Sequence, residues 1–291
     1  MANQRDIRNR IQSIKNTRKI TSTMEMIATV KMKKMQSRLE HFKRFDLKLT
    51  EILNNLLSID ATKGKKYSDP LLNEAISPSR VLIFEIVGNR GLCGGFNSNI
   101  IKNTARFKEE LLIKEGKEVS IYSVGKKGMG YYAFTKQSCY KSMFNPDDSL
   151  SFKDATDLGE ELKNLFLNGE FHEVYLSYSS VLSQFSQKPE IVKLLPISPM
   201  ASSSISSNYI FEPDPDKIFS HLLPLFVKMK MYTCFLETSY SEFFARRTAM
   251  KDATDASSDM INDLTVAYNR ARQAKITNEI LEVIGGAAGL G

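Results

Sequence analysis

Three groups of residues in this chain have types and spacing that could do chemistry. The first is Gly88-Asn-Arg-Gly-Leu-Cys-Gly-Gly95, a glycine-rich turn that follows an apolar run and precedes a helical one. Backbone amides at such a strand-to-helix crossing can cradle a phosphate. The spacing is neither G-x-G-x-x-G nor a Walker loop, because no Gly-Lys-Ser/Thr follows. Glycines at a tight crossing are also needed for backbone reasons alone. The second is the set of Cys93, Cys139, Cys234, His41, His172 and His221. A nucleophilic cysteine needs an adjacent base, and nothing in the sequence puts a histidine beside Cys93, which reads as a small buried residue. The histidines lack metal-ligand spacing. The third is Asp252, Asp255, Asp259 and Asp263, which line one helix face but lack the glycine turn of a calcium loop. No catalytic constellation emerges, and no cofactor or metal is expected.

The elements that must position these residues follow from the breakers. Glycine and proline are absent before Gly64, and 225–284 is free of both. Each outer stretch carries helical periodicity. The first runs Ile7, Ile11, Ile14, Arg18, Thr21, Glu25, Ala28, Met32, Met35, Leu39, Phe42, Asp46, Leu49, Leu53, Leu56. The second includes Leu222, Phe226, Met229, Leu236, Tyr240, Phe243, Met250, Ile261, Leu264, Tyr268 and Ala271. A single apolar stripe on a very long helix is buried most simply against a like helix. With a folded insert between the two, the pairing predicted is antiparallel. Arg18, Thr21 and Glu25 interrupt the first stripe, and Arg247, Thr254 and Ser257 the second. They are either irregularities of a coiled coil or places that face a partner.

The middle of the chain alternates strands with helices. Strands are predicted at 80–87, 118–124, 173–178 and 190–195, helices near 97–114 and 152–168, and a serine-rich loop at 198–208. This is the pattern of an α/β domain with a mostly parallel, Rossmann-like sheet. The predicted organisation is an N-terminal coiled-coil helix at 1–60, the α/β domain at 70–215 and a C-terminal coiled-coil helix at 217–286.

Charge narrows the function classes. The net charge is +7. Residues 1–50 hold thirteen Lys/Arg against four Asp/Glu, a net of +9, and the rest holds 27 against 29. Lys31, Lys33, Lys34 and Arg38 form the densest patch, so a polyanionic or acidic partner is expected. A basic coiled-coil nucleic-acid binder is one alternative, with neither aromatic interleaving nor a base-reading motif behind it. A nucleotide-dependent enzyme built on the glycine turn is another. No apolar run approaches the roughly 18–20 residues of a membrane span. The N-terminus has no apolar core of a secretory signal, and three scattered cysteines suit a reducing cytoplasm.

Four separated segments, in order over the whole chain, resemble the gamma subunit of F-type ATP synthases. They are Ser13-Ile-Lys-Asn-Thr-Arg-Lys-Ile-Thr21 with Met24-Glu-Met-Ile-Ala28, then Arg90-Gly-Leu-Cys-Gly-Gly95 with Asn97, then Glu212-Pro-Asp-Pro215. The fourth comprises Glu242, Ala245-Arg246, Ala249-Met-Lys-Asp-Ala-Thr-Asp255 and Asn269-Arg-Ala-Arg-Gln-Ala-Lys-Ile-Thr-Asn-Glu279, with Gly285-Gly-Ala-Ala288 as tail. The resemblance implies a non-catalytic central-stalk rotor, one copy per complex. Its terminal helices would stand inside a ring of alpha and beta subunits, and its α/β domain beside the epsilon subunit on the c-subunit ring. It implies no small-molecule substrate, no nucleic acid, and a peripheral place on the cytoplasmic side of a bacterial cell membrane. By the same match, Lys15, Asn16, Thr17, Met24, Arg246, Arg272, Gln273, Thr277, Glu279 and Glu282 are implied in rotor–stator coupling. Arg18, Thr21 and Arg247 are further candidates for ring contacts, and Tyr209, Phe211 and Glu212 for contact with the c ring. One departure stands out: the family's turn opens with Ser/Thr-Asp, where this chain has Gly88-Asn89, so a cap or an epsilon-facing contact is expected to differ. No cysteine-bearing insert like that of chloroplast forms is present, so their thiol switch is not implied.

Overall fold

A computed structural model describes residues 4–62, 69–73, 75, 78–143, 151–183, 186–198 and 215–289. Helix α1 is Gln4–Thr62 and a 3-10 turn is Pro70–Leu72. Strand β1 (Arg80–Ile86) leads to α2 (Phe96–Glu115), β2 (Glu118–Val124), α3 (Lys126–Thr135) and β3 (Lys141–Met143). Helix α4 (Phe152–Leu167), β4 (Glu173–Ser183), β5 (Ser186–Leu195) and α5 (Pro215–Gly289) complete the chain. The sheet order is β3-β2-β1-β4-β5, parallel except for the β4–β5 hairpin. The expected mostly parallel α/β sheet is therefore present.

β1 is central and buried on both faces, which is why it reads as an unbroken apolar run. Leu82, Phe84 and Ile86 point to the face covered by α1, α4 and α5, where the main core lies. Val81 and Ile83 point to the other face, under Leu111 and Phe107 of α2. Glu85 shares that second face and is fully buried. Ser123 Oγ donates to its Oε2 at 3.0 Å and the Tyr132 hydroxyl to its Oε1 at 3.0 Å.

The structure adds what the sequence pattern did not signal. α3 carries Gly128 and Gly130, poor helix formers. Gly128 has a reason to be there: a Cβ would overlap Ser123 Oγ and crowd Glu85. β4 and β5 run past their expected limits through Ser179, Ser180, Ser183 and Pro189. Ser179 and Ser180 are buried, and Pro189 is tolerated because β5 is an edge strand. At the start of α4, Ser151 and Asp154 form a capping box.

The chain divides into two compact units, 31–245 and a smaller one made of 1–30 with 246–291. Within the larger unit α1 and α5 run antiparallel, because contacts climb one helix as they descend the other. Lys31 lies over the Phe243 ring at 5.5 Å. Lys43 pairs with Glu237 at 3.4 Å, Phe42 stacks edge-on against Tyr232 at 4.6 Å, and Asp46 pairs with Lys230 at 3.6 Å. Within the smaller unit Thr21 and Thr254 hydroxyls share a 2.7 Å hydrogen bond. Two polar interruptions, one on each helix, thus answer each other inside the helix pair. Thr21 is buried, so it is not among the surfaces left for a partner.

Burial pushes the Glu85 carboxyl above its ordinary value, against the opposing pull of the Thr104, Ser123 and Tyr132 hydroxyls. A raised folded value means this group adds stability below its unfolded pKa and loses it as pH rises through the folded one. Replacing Glu85 by Gln removes that dependence. The variant is expected to gain stability over the parent progressively as pH rises above the ordinary carboxylate range, read as urea midpoints. An offset that does not change with pH would contradict this.

Candidate interaction surfaces and the glycine-rich turn

The turn after β1 is held by its own side chains. Gly88 N donates to Asn97 Oδ1 at 2.7 Å. Asn97 Nδ2 in turn donates to Arg90 O and to Cys93 Sγ, each at 3.2 Å. Lys126 N donates to Asn89 Oδ1 at 3.0 Å, which satisfies one free amide at the start of α3, and Lys127 N donates to Gly88 O at 3.1 Å. Gly94 sits at a φ of 56°, with open space where a Cβ would be, so the glycine serves the backbone conformation. Several polar groups that a phosphate would want are thus already spent.

The unusual Gly88-Asn89 pair has a local explanation. A Cβ on residue 88 would lie 2.9 Å from the Glu242 carboxyl carbon of α5. Glycine there lets that carboxyl close on the turn, and Asn89 supplies the cap on α3. Cys93 is buried, as expected. Cys234 is buried too, and burial pushes its thiol up to about 12, so it stays protonated. His172 is spent locally: its Nδ1 accepts from Ser79 N at 3.1 Å. Among the described residues no group of His, Cys, Asp and Glu could hold a metal ion. A feature that the sequence did not reveal is an open, mostly apolar groove of about 830 Å³ between α2 and α3, rimmed by Lys102, Lys126 and Lys127.

The implied coupling residues fall together in the smaller unit. Lys15, Asn16 and Thr17 are exposed on α1, and Arg272, Gln273, Thr277 and Glu279 are exposed on α5. Arg246 and Arg247 are half-buried, and Arg18 is exposed. Thr277 Oγ1 donates to Gln273 O at 3.0 Å, and Glu279 pairs with Lys275 at 3.5 Å. Tyr209, Phe211, Glu212 and the Glu282 side chain lie outside the described residues, as does most of the serine-rich segment.

The same unit leaves apolar side chains in water. Met24 is 36% exposed, and Ile20, Met26, Ile27 and Val30 on α1 are more so. Ile276, Ile280, Leu281, Val283 and Ile284 do the same on α5. Isolated apolar residues on a surface are ordinary, but groups of them on each of two helices are unusual for a surface left in water. In the basic patch Lys33, Lys34 and Arg38 are exposed, while Lys31 is engaged over Phe243. Among the described residues no helix is long and apolar enough to cross a membrane.

Within the larger unit an α/β layer packs against α1 and α5, and within the smaller unit both helices leave apolar side chains uncovered. The sequence profile of the ATP synthase family matches residues 3–290. The ATP synthase gamma chain of Leptospira biflexa is 40% identical over 290 residues, 99% of each chain. That of Halothermothrix orenii is 38% identical over 297 residues, all of both chains. Two solved structures share the fold. One chain is from the Euglena gracilis mitochondrial ATP synthase, OSCP/F1/c-ring in rotational state 3, with a TM-score of 0.68 at 18% identity over 99% of this chain and 94% of that one. The other is from the Tetrahymena thermophila mitochondrial ATP synthase central stalk and c-ring, with a TM-score of 0.62 at 21% identity over 80% and 99%. The protein belongs to the ATP synthase gamma-chain family. That membership does not favour the nucleic-acid-binding alternative.

The turn's geometry carries a prediction. Asn97→Ala strips an acceptor from the buried Gly88 amide and a donor from Arg90 O, so it should destabilise the chain by about 2 kcal/mol. Urea unfolding checks this, and a loss below about 0.5 kcal/mol would contradict it.

Proposed function

We propose that this chain is the central rotor subunit of an F-type ATP synthase. In this reading the α1–α5 helix pair stands inside the ring of alpha and beta subunits. The α/β domain meets the epsilon subunit and the c ring. Ion flow turns the ring and this chain together, and the asymmetry of the turning helix pair drives the catalytic sites of the beta subunits through their states. The chain itself does no chemistry. One copy serves each complex, and the complex holds it at the cytoplasmic side of a bacterial membrane.

The observation that carries the reading is the pair of exposed apolar rows in the smaller unit, on the segments that hold the family's signatures. A surface of that kind is stable when enclosed. Apolar contacts also suit turning, because they are non-directional and do not tie the helices to one angular position. The exposed Lys33, Lys34 and Arg38 supply attraction toward acidic segments of a surrounding ring, screened by salt and so soft. The coupling roles of Lys15, Asn16, Thr17, Met24, Arg246, Arg272, Gln273, Thr277, Glu279 and Glu282, and the c-ring roles of Tyr209, Phe211 and Glu212, belong to the same proposal.

The test is reconstitution with alpha and beta chains. The chain should assemble once per hexamer and raise magnesium-dependent ATPase activity. Failure to assemble with correctly folded partners would contradict the proposal. A second experiment concerns position. Met24→Lys should leave the fold intact, because residue 24 is already partly exposed, yet it places a cation in an enclosed contact. In membranes it should lower ATP-driven proton pumping more than ATP hydrolysis. Removal of residues 286–291 should be tolerated better, since helix ends fray at little cost. Equal losses from the two changes would count against the assignment.

A further inference from the structure

The apolar seam of the helix pair does not define its own alignment. On α1 the residues Ala28, Met35, Phe42, Leu49 and Leu56 recur every seventh position. On α5 Leu222, Met229, Leu236, Phe243 and Met250 do the same. A seven-residue slip of one helix past the other, about 10 Å, returns apolar residues to apolar places. Something else must distinguish the native register from its neighbours.

We propose that four charged residues at the base of the pair, Lys43 and Asp46 on α1 and Lys230 and Glu237 on α5, are a register lock. Lys43 pairs with Glu237 at 3.4 Å and Asp46 with Lys230 at 3.6 Å. The Glu237 side chain is 8% exposed, Asp46 10% and Lys230 20%, while Lys43 reaches in from the rim at 45%. The arrangement is reciprocal, since each helix gives one base and one acid. The two members on α5 stand one heptad apart. Slip α5 so that Lys230 takes the place of Glu237, and Lys43 meets Lys230 while Asp46 meets Leu223. Slip it the other way, and Asp46 meets Glu237 while Lys43 meets Phe244. Either slip sets like charges together, Asp46 and Glu237 in one case being nine-tenths buried, and leaves a further charge against an apolar side chain. A buried polar contact that fixes register is the best-attested use of such groups in coiled coils.

These contacts are imperfect, which fits specificity better than strength. Asp46 Oδ1 is buried with no hydrogen-bond partner, and so are Thr233 Oγ1 and Thr238 Oγ1 close by in sequence to Lys230 and Glu237. Such groups weaken a helix pair that apolar residues would hold more tightly. Their worth lies in the alternatives they exclude. Packing of α5 on the sheet, as in Phe235 against Phe84 at 6.1 Å between ring centres, also opposes a slip, and the experiment separates the two.

The test uses the full-length chain in a Cys139→Ser background, because Cys93 and Cys234 are buried. Lys31→Cys is combined with Phe243→Cys, which reports the native register. It is combined instead with Leu236→Cys or Met250→Cys to report the two slips. A short thiol-to-thiol linker and mass spectrometry of the linked peptides give the share of each. Lys230→Glu repels Asp46 in the native register and attracts Lys43 after one slip, so the 31–236 link should appear. Glu237→Lys repels Lys43 and attracts Asp46 after the opposite slip, so the 31–250 link should appear. In the parent the 31–243 link should dominate by about tenfold or more, and each single variant should lose that preference. The exchanges Asp46→Lys with Lys230→Glu, and Lys43→Glu with Glu237→Lys, should restore it. If both single variants keep the 31–243 link alone, packing on the sheet sets the register and the proposal fails. If both single variants lose their fold without any slipped link, it fails as well.

Discussion

The larger unit depends on burying one stretch of α5. From Met231 to Thr238 every residue is buried, and burial continues on most sides to Phe243. A helix wrapped on all sides must be apolar nearly all round, and Met229, Met231, Tyr232, Phe235, Leu236 and Phe243 meet that demand. On one side lies α1, with Phe42 against Tyr232. On another lies the sheet, with Phe84 against Phe235. On a third, Gly159 of α4 leaves room for Met231. Each large side chain buried there contributes about 1.5–3 kcal/mol. α1 has a single stripe and would be marginal in water by itself.

That constraint explains where polar groups can stand. Outside this stretch the helices need only one buried face each, and exposed residues surround it. Inside it, a charged side chain must find a partner or force its own protonation. Burial pushes Glu237 above its usual range despite Lys43. Across the sheet the same reasoning applies to Glu85, whose carboxyl accepts from the Ser123 and Tyr132 hydroxyls. Lys117 shows the opposite balance, since Glu115 and Glu173 outweigh its burial and raise its pKa.

Much of this was legible in the sequence because the strongest signals were long. The α1 stripe from Thr21 to Leu56 is buried or half-buried at every position in the series. The parallel sheet followed from unbroken apolar runs. What stayed illegible was short, or was decided by a tertiary contact. Gly128 and Gly130 hid α3, because the reason for Gly128 is a close approach to Ser123 and Glu85 that no local pattern encodes. Serines hid the ends of β4 and β5, since a buried serine and a loop serine look alike. The pairing of Thr21 with Thr254 needed the register, which periodicity alone leaves ambiguous by whole heptads. For the implied coupling residues, their gathering in one unit was readable only through their resemblance to a family, because exposed polar residues on a helix carry no periodic signal of their own.

In the proposed function the helix pair and the α/β domain turn together when the beta subunits consume ATP. The direct measurement fixes the alpha–beta ring to a surface and attaches a bead to the α/β domain through Cys139, the one cysteine that is not buried. ATP is expected to drive the bead in one direction in discrete steps. Sustained ATP hydrolysis with a stationary bead, in complexes shown to retain this chain, would contradict it.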